Sequence, residues 1–185
     1  MKKYIAAFLC IAMCLALMSA CGTETKPEES TEPITSEQPS EAPEDSSEPE
    51  TSSPLADAIT SARGDEENEA YPVQSDKDAI ESMYYDVLGF TADDVTELAM
   101  SVSLINVKAY GIVIAKPAEG CADTVKAGLQ AFIDTQCNNF ETYLADQYEI
   151  AKNAKLETLD DGTIVMVMCA NADTVYDAIV AALAA

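Results

Sequence analysis

From Pro54 to the last residue, apolar side chains recur with two periods, and the switches between them divide this part of the chain into elements. Leu55, Ile59 and Ala62 share one face of a short helix that Pro54 opens and Gly64 ends. Gly64 to Gln74 is acidic and polar and reads as a loop. A second helix is expected to open at Ser75, whose hydroxyl suits the free N–H groups of a first turn carrying Asp76 and Asp78. Ile80, Met83, Tyr84, Val87 and Leu88 follow at helical spacing, and Gly89 takes the C-terminal stop.

Period two begins after a turn over Thr91 to Val95, where Asp93 and Asp94 also suit a short helical start. Leu98, Met100, Val102 and Leu104 alternate with Glu97, Ala99, Ser101 and Ser103, as in a half-buried strand. Tyr110 to Lys116 is apolar on both faces, which predicts a central strand, and Pro117 stops it. The longest helix places Val125, Leu129, Phe132, Ile133, Gln136 and Phe140 in one stripe. Tyr143 and Leu144 close it, and Ala145 to Asn153 adds one or two turns. Lys155 to Leu159 and Thr163 to Cys169 then pair across Asp161-Gly162, a dipeptide suited to a type I′ hairpin. Asn171 caps a last helix that buries Val175, Ile179, Ala182 and Leu183. The expected fold is α+β. It is a single domain over 54–185 in the order ααββαββα, with about four mostly antiparallel strands and the helices packed on one face.

Upstream of Pro54 neither period holds. Lys2 and Lys3 precede an almost unbroken apolar run from Tyr4 to Leu17, and small residues lead from there to Cys21, the layout of a secretory signal peptide. Retention of the run as a membrane span is the alternative, at the lower limit of length. Residues 21–53 are nearly all Glu, Ser, Pro and Thr, with Ile34 the one large aliphatic side chain. Such a stretch cannot repay the entropy of folding and is expected to be an extended, disordered tether.

Charge narrows the classes of partner. The chain carries 33 acidic residues against 10 basic ones and no histidine, a formal charge of −23. Nucleic acid and anionic lipid repel such a surface, so neither is an expected partner. Apart from those of the leader and Cys21, the cysteines are Cys121, Cys137 and Cys169. Cys121 and Cys137 would sit about 24 Å apart along one helix and cannot bridge there. The three are expected to be small buried apolar residues, a bridge to Cys169 or a reactive thiol being the alternatives.

The segment Leu17-Met18-Ser19-Ala20-Cys21-Gly22 resembles the lipobox of bacterial lipoproteins, with Met18 where leucine is commoner. That resemblance implies cleavage after residue 20, acylation of Cys21 and a lipid-anchored chain on the extracytoplasmic face of the cell membrane. Two acyl chains would hold it there stably. Farther on, Tyr85-x-x-Leu88-Gly89-Phe90 and Asn139-Phe140-x-x-Tyr143-Leu144-x-x-Gln147-Tyr148 look like a family of small bacterial lipoproteins known as domain of unknown function 4358. The likeness spans roughly 54–185. An acidic residue would be expected where Tyr110 and Gly111 stand, and a proline at Ala145. The resemblance brings an expected fold and location but no activity.

Chemistry is sparse. Without histidine or grouped cysteines zinc lacks its usual ligands, no calcium loop or phosphate-cradling glycine loop occurs, and no cofactor or metal is expected. The adjacent carboxylates Asp93-Asp94 and Asp160-Asp161 read as a helix start and a hairpin turn. Tyr84, Tyr85, Tyr143 and Tyr148, with Tyr176, are the candidates for a groove that takes a ligand or partner, against the plainer reading as core residues with a wet tip. The expected function is a non-catalytic binding module of the cell envelope, for an envelope protein or a small ligand. A hydrolase using carboxylates alone and a purely structural envelope component are the alternatives. An enzyme predicts that two or more of Asp86, Glu97, Glu119 and Glu157 converge in a cleft; a binding module predicts an exposed apolar or tyrosine patch.

Overall fold

The computed structural model describes residues 53–185. The leader, Cys21 and residues 21–52 of the tether lie outside the described residues. Within them, the helices are α1 (Pro54–Ser61), α2 (Asp65–Ala70), α3 (Ser82–Leu88), α4 (Ala122–Phe140), α5 (Ala145–Lys152) and α6 (Ala172–Leu183). The strands are β1 (Val95–Val102), β2 (Gly111–Pro117), β3 (Lys155–Thr158) and β4 (Ile164–Met168). They form one antiparallel sheet in the order β1-β2-β4-β3. The α+β class, the four strands and the central place of β2 are as the periodicity predicts.

One expectation fails. The helices do not lie on one face; they cover both. Leu98, Met100, Val113, Ile164 and Met166 pack toward α3 and α4, through Leu88, Val125, Leu129 and Phe132. Their neighbours Ala99, Ile112, Ile114, Val165 and Val167 pack toward Leu55 and Ile59 of α1 and Val175 and Ile179 of α6. Ala99, Ser101 and Ser103, which alternation assigns to water, are therefore buried. They are small because a helix lies over them, and Ser101 is satisfied by hydrogen bonds rather than by solvent.

Smaller differences have local causes. The stretch read as a loop contains α2, a six-residue acidic helix whose Asp65, Glu66 and Glu67 sit at its positive end. The helix expected from Ser75 begins only at Ser82, with Glu81 at its N-cap position, after a turn in which the Asp78 N–H donates to Asp76 Oδ1. An Asx-turn there competes with helix. The shortened α3 buries Tyr85 and Leu88 and leaves Met83 and Val87 exposed. Thr91 and Asp94 form a capping box around the short 3₁₀ turn Ala92–Asp94.

The hairpin turn starts one residue earlier than a type I′ turn would. The Gly162 N–H donates to the Leu159 carbonyl at 2.9 Å, and Gly162 takes φ 88°. Asp160 and Asp161 are thus the turn and Gly162 the bulge that rejoins the strands. Asp161 accepts from both the N–H and the hydroxyl of Thr163. Asn171 stands at the N-cap of α6 without a side-chain capping bond, and Ala182 is exposed.

Candidate functional site

The end of the sheet where β1 leaves and β2 enters gathers the unusual features of the surface. The loop between them, 103–110, carries Leu104, Ile105 and Val107, which are 37%, 63% and 58% exposed. Tyr143, in the turn between α4 and α5, is 60% exposed, and its hydroxyl is 3.4 Å from the Asn106 carbonyl it donates to. That contact brings Tyr143 to the loop, and the two elements together make an exposed apolar region, the shelf.

The shelf has a firm base. The buried amide of Gln147 accepts the Ala109 N–H at 2.9 Å and donates to Asp146 Oδ2 at 2.8 Å. The second bond holds the Asp146 carboxyl below its usual range. At the start of the loop the Ser103 N–H donates to the Tyr110 carbonyl. These bonds tie the end of the loop to α5 and its two ends to each other.

Beside the shelf lies a buried cation. Arg63, the one arginine of the chain, is 9% exposed. Its Nη1 donates to Ser101 Oγ at 2.8 Å and to the Tyr110 hydroxyl at 2.6 Å, and Nε and Nη2 both donate to Asn68 Oδ1. Ser101 in turn donates to the Tyr71 carbonyl, and the Tyr71 ring stacks on Tyr110 with centroids 3.9 Å apart. Burial pushes the Tyr110 hydroxyl above its usual pKa, and Arg63 pulls in the opposite direction. The cluster joins Arg63 after α1, Asn68 of α2 and Tyr71 after it, Ser101 near the end of β1 and Tyr110 just before β2. It thereby fixes α2, with Asp65, Glu66, Glu67 and Glu69, at the same end of the sheet as the shelf.

The family model of the domain of unknown function DUF4358 matches residues 67–169, more than half of the chain. The chain belongs to this family. No curated protein and no solved structure matches it. The matched span of the DUF4358 domain takes in all four strands, the shelf and Gln147. Arg63, α1 and α6 lie outside it. Where the resemblance leads one to expect an acid, Tyr110 of this DUF4358 domain meets the guanidinium with a neutral phenol.

The tyrosines singled out from the sequence have different surroundings. Tyr85 is buried, donates to the Lys77 carbonyl at 2.6 Å and meets Phe90 edge-on. Tyr84 is half-buried against the core. Tyr148, also half-buried, lies under Lys152, whose Nζ is 5.7 Å from the ring centroid. Tyr143 stands on the shelf. Among the described residues, no ring contact joins any two of the four.

Asp86, Glu97, Glu119 and Glu157 are exposed on α3, β1, the lead into α4 and β3, and Glu97 pairs with Lys116. Among the described residues, no group of three or more carboxylates and cysteines is placed to hold a metal ion. Cys121, Cys137 and Cys169 are free thiols, and Cys169 alone of them is fully buried. Its thiol donates to Asn171 Oδ1 at the edge of an open cleft of about 460 Å³ that Lys155 and Asp173 also line.

Sequence reasoning missed Arg63, Tyr71, Gln147 and the aliphatic loop. Two signals were present: a lone arginine directly after an apolar helix, and the aliphatic residues of Leu104-Ile105-Asn106-Val107 between two strands, where polar turn residues are usual.

Proposed function

We propose that this protein is a lipid-anchored binding module of the cell envelope, in which the β1–β2 loop and Tyr143 form the contact surface for a partner protein. The observation that carries the reading is the shelf: three exposed aliphatic side chains on a loop whose end is bonded to a buried glutamine, with an exposed tyrosine that meets the loop. Exposed apolar patches on an otherwise charged domain mark interaction sites. Tyrosine suits such a surface because it contributes a large apolar area and a polar tip. The lipobox-like segment ending at Cys21 and the anionic tether support an anchored location, with reach enough for the domain to meet a neighbour.

The test is the size of the assembly extracted from membranes in mild detergent. The wild-type chain should migrate as a complex. A chain carrying Ile105→Ser and Val107→Ser should migrate at the size of the free chain. Equal migration of the two would remove the shelf from the function.

A further inference from the structure

The reading of the shelf as a contact surface leaves open what it would accept, and the charges around it narrow the answer. Asn68 and Arg63 link α2 to Ser101 and Tyr110, near the two ends of the loop, and that helix carries Asp65, Glu66 and Glu69 exposed and Glu67 half-buried. Glu141 and Asp146 flank Tyr143 along the chain, both exposed. Lys108, half-buried, is the one basic residue in the loop itself. An apolar surface whose neighbouring elements carry acids is matched by its electrostatic complement.

We propose, building on that reading, that the shelf docks an amphipathic protein segment whose apolar face is rimmed by lysine or arginine. Charge argues against the other occupants. A second copy would bring the same acids against themselves in a chain of formal charge −23, and an anionic bilayer would be repelled by α2. In this arrangement Arg63 is a positioning residue. It touches no partner, but its bonds to Asn68, Ser101 and Tyr110 set the acidic helix beside the loop.

Three synthetic amphipathic helices with identical leucine faces, and lysine, glutamine or glutamate on the polar face, test the idea against the full chain by fluorescence anisotropy. The lysine peptide should bind most tightly, with affinity falling about tenfold between low salt and ~0.3 M. Ile105→Ser with Val107→Ser, which leaves net charge unchanged, should weaken it about tenfold. Glu66→Gln with Glu69→Gln should weaken it about threefold and flatten the salt dependence. All four positions are exposed, so melting temperature should not change and serves as the folding control.

Equal binding of the glutamine or glutamate peptide, still lost on the serine substitutions, would overturn the basic-rim proposal and leave the shelf as a contact surface. Binding of the lysine peptide that is indifferent to the serine substitutions, or no binding of any peptide, would overturn both. A shelf-dependent dimer, or shelf-dependent binding to phosphatidylcholine vesicles, would assign the surface to a second copy or to a bilayer and overturn the proposal.

Discussion

At the scale of residues, the polar side chains inside this domain satisfy one another's buried hydrogen-bonding groups. Arg63 is the clearest case. Replacing it with methionine would leave Ser101, Tyr110 and Asn68 without their donor, at a cost of about 2–4 kcal/mol read from a urea titration. Tyr110→Phe removes one of those bonds and should cost about 1 kcal/mol. Arg63→Lys should recover little, because one ammonium cannot serve Asn68 on one side and Ser101 and Tyr110 on the other.

Gln147→Leu strips the buried Ala109 N–H of its acceptor and should destabilise by about 1–3 kcal/mol, with faster hydrogen exchange at that amide. Asp94 predicts a pH effect. The hydroxyl and N–H of Thr91 both donate to its carboxylate and hold its pKa below the usual value. A depressed folded-state pKa means stability that is present above the unfolded value and lost as pH falls through the folded one. Thermal melts of wild type and Asp94→Asn should therefore converge below about pH 4, the wild type being the more stable above it. Taking the difference between the two proteins removes the shared effect of discharging a strongly anionic surface.

At the scale of elements, α4 approaches the end of α3 backbone to backbone. Gly89 takes φ 75° to end α3, and Gly128 faces it from the middle of α4. A Cβ on Gly128 would lie 2.4 Å from the Leu88 carbonyl oxygen and 2.8 Å from that of Gly89. Gly128→Ala can be relieved only by moving backbone, so it should cost about 3 kcal/mol or more and lower the melting temperature by many degrees.

That contact also separates what was legible in the sequence from what was not. Gly89 could be read as a helix stop because its signal is local. Gly128 could not, because the reason for it lies on another helix. The strands were legible for a like reason: alternation and the continuous apolar run of β2 are local patterns. The second layer of helices was not. In β1 the alternate positions are Ala99 and Ser101, small enough for either water or a helix, and only α1 and Arg63 decide between them. At the candidate site Tyr143 was legible as a candidate groove residue at the close of the longest helix. The shelf was not, because it joins residues of a loop and a helix junction that only the fold brings together.

At the scale of the whole molecule, the proposed function requires the domain of residues 53–185 to meet its partner from a lipid anchor at Cys21. The family assignment gives it a place among DUF4358 domains, and the chemistry of its surface has to supply the rest. If Cys21 carries the anchor, Cys21→Ser should shift the chain from the membrane fraction toward the soluble one without altering the melting transition of the domain spanning residues 53–185. Release from the membrane should also weaken capture of a membrane-bound partner, because tethering raises the effective concentration of the domain.

The most direct measurement is photo-crosslinking in intact cells, with the reactive amino acid placed at Ile105 on the shelf or at Asp134 on the exposed face of α4. The account predicts one discrete adduct from position 105, abolished by Val107→Ser, and none from position 134. The same adducts from both positions, or none from 105, would contradict it.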